Sequence, residues 1–298
     1  MNFPTVKQLR YFIALVEHNH FGKAAQSCFV SQSAFSVAIK ELENILNGRL
    51  VDRTNKSVTV TNLGRETYSQ AKFVMQELRN LVEMAQGNKQ PLTGKLSLGI
   101  IPSIAPFILS TFMQKIEKQH PDLELILYED ITLNLYKKLM QGDIDVVLLA
   151  LPFDLKNTTS VTLFKDDFYL AFMPNSKNIR KVKGKIEPID DSVILLEDGH
   201  CMREHVLSAC KLRSSNNVSK YSASSFLTLV EMVKSDSGIT YLPQMSLQSA
   251  LVKNSGLKLQ KLDKQAYREI GLVWRTGSSR AKEFELLGQF IDGAQQDQ

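Results

Sequence analysis

Two cysteines, Cys201 and Cys210, lie nine positions apart in the last third of the chain and are the side chains with the clearest chemistry. A thiolate can attack an oxidant, and the resulting sulfenic acid can condense with a second thiol to form a disulfide. In a helix of about 1.5 Å rise per residue, the two would stand about 13 Å apart and half a turn out of phase. A disulfide requires Cα atoms roughly 4.4–6.8 Å apart. The spacing therefore predicts a segment that refolds when the pair is oxidised.

The residues around this pair leave several interpretations open. Cys201 follows His200 and precedes a predicted helix, whose N-terminal dipole favours negative charge, so we expect an ionised and accessible thiol there. Two buried structural cysteines are an alternative, and a metal site using His200, Cys201, His205 and Cys210 is another, although its spacing matches no common zinc pattern. The third cysteine, Cys28, is predicted to be buried in a helix and inert.

The bulk composition of the 298-residue chain suggests two domains, with 43% apolar residues available for their cores. No apolar run is long enough to cross a bilayer, and the N-terminus carries no signal-peptide pattern, so we predict a cytoplasmic protein. That compartment keeps ordinary thiols reduced, so a disulfide here would be transient or regulatory. Residues 1–90 carry 11 Lys and Arg against 7 Asp and Glu, which suggests a polyanion partner for that end.

The first 62 residues show the sequence signals of three helices followed by a hairpin. Thr5 and Gln8 have the spacing of a capping box, and Asn47-Gly48 can end a helix. The apolar periodicity predicts a winged helix-turn-helix domain over residues 1–62, made of three helices and a hairpin: 5–18, 21–28, 31–46 and 49–61.

A different period follows in residues 63–90. Apolar residues recur there with alternating spacings of three and four, at Tyr68, Ala71, Met75, Leu78, Val82 and Ala85. This seam predicts a dimerising linker helix, and the alternative is an amphipathic helix that packs on its own domain. Gly87-Asn88 and Pro91 mark the following boundary.

Residues 91–298 alternate strands and helices, which predicts an α/β domain with a largely parallel sheet. The predicted strands are 95–101, 124–128, 145–150, 168–173, 193–196, 239–242 and 270–274. The main predicted helices are 106–119, 132–141, 203–212 and 224–234.

The third helix begins with short polar side chains suited to base edges and phosphates in a major groove. The candidate DNA-binding residues are Ser31, Gln32, Ser33 and Ser36 at its start, with Lys40 one turn later and Arg53 in the wing. The alternative is a three-helix bundle whose polar face is only solvated.

The run Val30-Ser31-Gln32-Ser33-Ala34-Phe35-Ser36, with the later Val60-Thr61 and Gly64, resembles the helix-turn-helix and wing of the LysR-type transcriptional regulators. Ala38, Asn47 and Val51 depart from that pattern. The resemblance implies DNA and RNA polymerase as partners and a homodimer joined through linker helices, usually assembled as a homotetramer. It also implies a two-lobed effector domain like the periplasmic binding proteins, with lobes at roughly 91–164 plus 268–298 and at 165–267.

Residues 197–210, from Glu197-Asp198-Gly199-His200-Cys201 to Cys210, resemble the redox segment of the OxyR branch of that family, whose members respond to hydrogen peroxide. Matches at 99–103, 128–132, 237–243 and 268–273 extend the resemblance over nearly the whole chain. It implies an activator with hydrogen peroxide as its signal, glutaredoxin or thioredoxin as the reductant, and no cofactor or metal. The implied roles are Cys201 as peroxidatic and Cys210 as resolving cysteine, with Ser103, Thr132, His200, Arg268 and Glu204 binding or activating the peroxide.

Departures and rival functions qualify this resemblance. Ser103 stands where the branch usually has Thr, and Glu204 where it has Asp, which puts peroxide reactivity and a proton relay in question. A LysR-type regulator with a small organic effector between its lobes is the alternative function. A redox enzyme such as a peroxidase is disfavoured, because the sequence shows no partner motif for turnover, no glycine-rich nucleotide loop and no G-x-S-x-G elbow.

Overall fold

The computed structural model describes residues 2–53, 58–85, 91–153, 155–182, 185–212, 216–262 and 266–296. The chain forms two compact units, Met1–Lys89 with Met140–Asp143, and Gln90–Leu139 with Ile144–Gln298. The predicted hairpin turn at 55–57 and the break at Gly87-Asn88 lie outside the described residues. The predicted bounds at residues 62 and 90 and the division into two lobes stay predictions.

The first unit contains the predicted helices and hairpin in the predicted order. Its elements are α1 (Val6–His18), α2 (Phe21–Ser27), α3 (Gln32–Ile45), β1 (Val51–Arg53), β2 (Val58–Val60) and α4 (Asn62–Ala85). The capping box of α1 is confirmed: Thr5 Oγ1 accepts from the Gln8 N–H at 3.2 Å, and Gln8 Oε1 accepts from the Thr5 N–H at 2.9 Å.

Close contacts between α3 and the start of the wing fix the winged helix. Glu43 Oε1 accepts hydrogen bonds from the backbone N–H groups of Leu50 and Val51, at 2.9 and 3.3 Å. Gly64, in the first turn of α4, packs so closely that a Cβ there would lie 2.1 Å from Leu50 O. Only glycine fits that approach, which gives the Gly64 of the sequence pattern a physical reason.

Helix α4 packs part of its apolar surface on its own unit and leaves another part exposed, and the dimerising role of its seam stays a prediction. Ala71 is buried in the core of the first unit and Tyr68 packs against that core, as the amphipathic alternative requires. Val74, Leu81 and Val82 are exposed on the same helix. Packing on its own unit therefore does not exhaust the apolar surface of α4.

The second unit is an α/β domain. Its elements are β3 (Gly94–Ile100), α5 (Ala105–Gln119), β4 (Leu123–Glu129), α6 (Thr132–Gln141), β5 (Val146–Leu151), β6 (Thr158–Phe172), β7 (Ile179–Val182), β8 (Lys185–Pro188), β9 (Val193–Leu196), α7 (Cys201–Ala209), β10 (Val218–Ala223), α8 (Phe226–Lys234), β11 (Thr240–Pro243), a 3₁₀ turn (Gln244–Ser246), α9 (Ala250–Lys253), β12 (Lys258–Lys261), β13 (Tyr267–Arg275) and α10 (Ala281–Gln296).

The prediction of a largely parallel sheet is wrong. In the seven-stranded sheet of order β11-β6-β13-β5-β3-β4, with β12 also on β6, only β3 pairs in parallel, with β4 and β5. Strands β5, β6, β11, β12 and β13 join through antiparallel pairs. The cause is the 15-residue β6, whose first half is largely polar and exposed and therefore has no apolar run to reveal it.

Two small sheets complete the unit, a β7–β8 hairpin and a parallel β9–β10 pair beside which Val193 bridges to Ile239. Strand β9 is fully buried and leads directly into α7 through the turn at 197–200. Helix α7 begins two residues before the predicted 203–212 helix, so Cys201 is its first residue. Within the described residues, no helix is long and apolar enough to span a membrane.

Candidate functional site

Ser103 and Thr132 lie just beyond the carboxyl ends of neighbouring parallel strands. Ser103 follows β3, and Thr132 is the first residue of α6 after β4. Such ends share one edge of a sheet, where α/β proteins commonly bind ligands. Both side chains are buried, so this edge presents two enclosed hydroxyl groups.

Among the described residues, Arg268 on β13 has the largest fully buried side chain, and all three of its guanidinium nitrogens have hydrogen-bond partners. Its Nε donates to Asp166 Oδ2 at 3.0 Å, Nη1 donates to Ser103 Oγ at 2.7 Å, and Nη2 donates to Ser103 O at 2.9 Å. Met245 contributes Sδ at 3.3 Å from Nη2, and its N–H donates to Asp166 Oδ1 at 3.0 Å. Burial raises the pKa of Asp166, and the Arg268 cation opposes this. The cation holds Ser103 in a fixed position.

Cys201 lies beside these groups. Thr132, the backbone of Ala150 and Met202 and the charge of Arg268 all lie close enough to lower the pKa of its thiol, against the larger effect of burial. Thr132 Oγ1 is buried and has no hydrogen-bond partner in the described part of the chain. That hydroxyl retains hydrogen-bonding capacity for a ligand next to the thiol.

The expectation of an ionised, accessible thiol at Cys201 is wrong for this conformation. Only 4% of Cys201 is exposed, and burial raises the pKa of its thiol. The Thr132 contact, the Arg268 charge and two backbone groups lower that pKa but do not offset burial. Desolvation of the thiolate outweighs the helix N-terminus, whose effect is modest.

Cys210 stands at the opposite end of α7, where it is the C-cap residue. It is half-buried, and burial raises the pKa of its thiol to about 12. Both cysteines are free. Because Cys201 and Cys210 are nine positions apart along the helix, the two lie about 13 Å apart along the axis, as the spacing predicted.

The two remaining predicted peroxide residues flank this cluster. His200 is the N-cap of α7, half-buried, and its side chain makes no capping hydrogen bond within the described residues. Glu204 is exposed in the first turn, where its charge partly offsets the lowering of the His205 pKa by burial. The structure thus gathers Cys201, Thr132, Ser103 and Arg268 and places His200 and Glu204 at the rim.

Three site residues were not predicted in these roles: Asp166 and Met245, which bind Arg268, and His205, whose Nε2 lies 3.3 Å from Pro152 O. Asp166, which pairs across the strands with Arg268, lies in the part of β6 before residue 168, outside the predicted strand 168–173. In the described ranges, no group of three or more His, Cys, Asp and Glu is placed to hold a metal ion.

The predicted DNA-binding residues of α3 are found at its surface. Gln32, Ser33 and Lys40 are exposed, and Ser36 is half-buried. Ser31 also has a structural task, because its Oγ caps α3 by accepting from the Ala34 N–H at 3.3 Å. The Arg53 side chain lies outside the described part of the chain.

Cys28 differs from its prediction. It is half-buried rather than buried, because it caps the end of α2 at the edge of the first unit's core. It also lines a cavity of about 500 Å³ together with Arg10, His18 and Arg79.

Comparisons with known proteins support the whole length of this fold. The chain matches the bacterial regulatory helix-turn-helix protein, lysR family, over residues 6–65 and the LysR substrate binding domain over residues 89–296. It is 36% identical over 286 residues to the HTH-type transcriptional regulator EstR of Acinetobacter baylyi, covering 95% of each chain. It is 32% identical over 287 residues to the DNA-binding transcriptional dual regulator OxyR of Escherichia coli, covering 96% of this chain and 94% of that protein.

A solved structure agrees. An H₂O₂-bound OxyR mutant of Corynebacterium glutamicum is 31% identical, with a TM-score of 0.64 over 100% of this chain and 96% of that chain. The predicted fold class, an N-terminal helix-turn-helix followed by an α/β effector domain, is confirmed, and the relatives are regulators rather than enzymes. The chain belongs to the LysR family of bacterial transcriptional regulators and is a homologue of the OxyR proteins.

Proposed function

We propose that this chain is a DNA-binding transcriptional activator that senses hydrogen peroxide through a reversible disulfide between Cys201 and Cys210. The observation that carries the proposal is the setting of Cys201. A buried Thr132 hydroxyl with spare hydrogen-bonding capacity lies next to its sulfur, and the Arg268 cation, which holds the Ser103 hydroxyl, is close enough for its charge to act on the thiol. A small molecule with two oxygens, each a donor and an acceptor, suits such a pair of hydroxyls.

The proposed chemistry balances within the two thiols and one peroxide. The Cys201 sulfur attacks one peroxide oxygen, forming an S–O bond as the O–O bond breaks, and the departing hydroxide takes the thiol proton to become water. Cys210 sulfur then attacks the sulfenic sulfur, so that an S–S bond forms, the S–O bond breaks and a second water leaves. Arg268 and the two hydroxyls stabilise the developing negative charge on the leaving oxygen, and His200 and Glu204 at the rim exchange protons with solvent.

The switch itself follows from the position of the cysteines. About 13 Å of helix separates them, and a disulfide needs roughly 4.4–6.8 Å between Cα atoms, so α7 must unwind. Strand β9, the 197–200 turn and α7 would be remodelled. A change of this size in the regulatory unit would alter how the dimer or tetramer presents its α3 helices to DNA and to RNA polymerase. A thiol reductant such as glutaredoxin or thioredoxin would restore the helix.

DNA binding is assigned to Ser31, Gln32, Ser33, Ser36, Lys40 and Arg53 in the same proposal. Exposed short polar side chains at the start of α3 suit base edges, and Lys40 suits a phosphate. The exposed Val74, Leu81 and Val82 of α4 support a homodimer joined through this helix.

Thiol counting tests the proposed function. After one equivalent of peroxide, the wild-type protein should lose two of its three free thiols and gain a Cys201–Cys210 crosslink by mass spectrometry. Cys201→Ser should keep both of its remaining thiols, and Cys210→Ser should lose one without a crosslink. Footprinting on operator DNA should change only for the wild type. A Cys201→Ser protein that still activates transcription under peroxide would exclude the thiol mechanism.

A regulator with a small organic effector is the second candidate. The EstR similarity favours it, as does a cavity of about 630 Å³ in the second unit. Its lining includes Leu151, Pro152, His205, Lys211, Tyr267 and Glu269. A reporter response that survives in Cys201→Ser but is lost in Tyr267→Ala would favour this candidate over the disulfide.

A further inference from the structure

His205 fastens α7 to the end of β5. It lies one turn after Cys201, and its Nε2 is 3.3 Å from the carbonyl oxygen of Pro152, just past Leu151. Its Nδ1 is buried and has no ordinary partner within the described ranges. The contact joins the helix that must unwind to a strand of the central sheet, so it exists only while α7 keeps its present conformation.

The surroundings of His205 favour the neutral ring. Burial and the Arg268 cation lower the pKa of its imidazole, and the carbonyls of Cys201 and Pro152 and the Glu204 charge oppose this only in part. Lys211 at the end of α7 and Tyr267 and Glu269 on β13 line the same cavity. A neutral ring with its proton on Nε2 donates to Pro152 O.

We propose that His205 is a positioning residue that holds α7 in its helical, unbonded form and thereby sets how readily the Cys201–Cys210 pair switches. The proposal rests on the disulfide mechanism above. Every contact that is lost on unwinding opposes the switch, and the Pro152 contact is one of them. Replacing His205 with a residue whose side chain cannot donate a hydrogen bond should lower the peroxide concentration needed for half-oxidation.

Protonation of His205 should favour the unwound form of α7. If His205 becomes solvated when α7 unwinds, its pKa returns towards the ordinary value of 6.5, whereas in the helical form the pKa is lower. The unwound form therefore binds a proton first as the pH falls. The helical form keeps the full contribution of His205 above pH 6.5 and loses it progressively below that pH. Acid should favour the switched conformation.

Hydrogen exchange of the α7 amides in fully reduced protein tests the proposal without any oxidant. We compare the wild type with His205→Leu, which cannot donate, and His205→Gln, which can donate to Pro152 O but does not titrate. His120→Gln is the matched control, since His120 packs edge-on against Phe290 away from α7. Exchange of the α8 amides reports on the stability of the rest of the unit. The rates of both helices are corrected for intrinsic exchange.

Loss of one hydrogen bond should raise the opening constant of α7 roughly threefold to tenfold in His205→Leu at pH 7.5, with His205→Gln close to wild type. Between pH 7.5 and 5.5, opening should rise at least about twofold in wild type and His120→Gln but stay constant in His205→Gln. A pH dependence that persists in His205→Gln, or unchanged α7 exchange in His205→Leu, would overturn the proposal. A different outcome is that hydrogen exchange behaves as expected but peroxide-treated wild type shows no Cys201–Cys210 crosslink. That result would exclude the disulfide mechanism, while His205 would still be shown to stabilise the helical form of α7.

Discussion

Helices α3 and α7 end in the same backbone turn but differ in the residue that makes it. In each, an N–H two residues beyond the cap reaches back to a carbonyl of the last helical turn, from Gly48 in one and from Leu212 in the other. The left-handed residue between is Asn47 after α3, with φ 51°, and Lys211 after α7, with φ 56°. Asn tolerates this conformation, whereas a long side chain such as Lys loses roughly 1–2 kcal/mol in it.

The two N-termini differ in the same direction. Ser31 caps α3 through its side chain, whereas His200 makes no such bond at α7 in the described residues. Helix α3 has 14 residues and α7 has nine, so α7 also has fewer internal hydrogen bonds. Helix α3, to which DNA binding is assigned above, has a side-chain cap at its start and a tolerated Asn in its terminal turn. In the described residues, the helix between the two cysteines has no side-chain cap at its start and has a strained Lys in its terminal turn. This difference suits a rigid reading surface and a segment with two conformations.

Thiol labelling should show the largest contrast with an unfolded chain. Burial raises the pKa of Cys210 from 9.0 to about 12, so at neutral pH its thiolate fraction should fall on the order of a thousandfold. Burial raises the pKa of Cys201 as well. Iodoacetamide labelling of Cys201 and Cys210 at pH 8, quantified by mass spectrometry, should be far slower in native reduced protein than in protein unfolded in urea. Equal rates in the two conditions would mean that α7 is already open.

Removal of the buried cation should have the next largest effect. Arg268→Met leaves Asp166 buried without its partner, which should cost about 3–5 kcal/mol of unfolding free energy in urea titrations of the second unit. The double variant Arg268→Met with Asp166→Leu should recover much of that loss, because no uncompensated charge remains. If the single and double variants are equally unstable, packing rather than charge explains the role of Arg268.

These two regions also differ in how far the sequence predicts them. The winged unit depends on local signals, namely the Thr5–Gln8 capping box, the helical periodicity and Asn47, and all of these appear in the structure. The resemblance brought Cys201, Thr132, Ser103 and Arg268 together by analogy. Neither route gave Asp166, because its partner is 102 residues away and its strand has a polar, exposed first half. Long-range pairing of this kind leaves no local pattern.

The accessibility of Cys201 shows a second limit. The sequence places it after His200 at a helix start, which favours a thiolate, but the sign of its pKa shift depends on burial. Burial is a property of the packed unit and involves β5, α6 and β13 around the thiol. A local dipole of modest strength cannot reveal that outcome.

The strained end of α7 can be relieved. Lys211→Gly should stabilise the helical form by about 1 kcal/mol, because glycine adopts positive φ without penalty. In a peroxide titration, the concentration needed for half-formation of the disulfide should therefore rise roughly fivefold. Asn47→Gly is the matched control in α3 and should gain less, since Asn already tolerates the conformation. A Lys211→Gly protein with an unchanged peroxide midpoint would remove the C-terminal turn from the comparison.

The DNA-reading side should show the smallest and most selective changes. Lys40→Ala removes one proposed phosphate contact, so it should weaken binding to all DNA sequences alike and reduce the salt slope of log K by about 1. Ser33→Ala should cost about 1 kcal/mol at the operator with little change in that slope. Lys258→Ala, an exposed lysine of β12, is the control for net charge. Neither α3 substitution should alter disulfide formation, because α3 and the cysteine pair belong to separate units. Binding isotherms at two salt concentrations that overlay wild type for Lys40→Ala would show that this face of α3 does not contact DNA. A changed peroxide midpoint in DNA-free protein would show that α3 itself contributes to the stability of the switching segment.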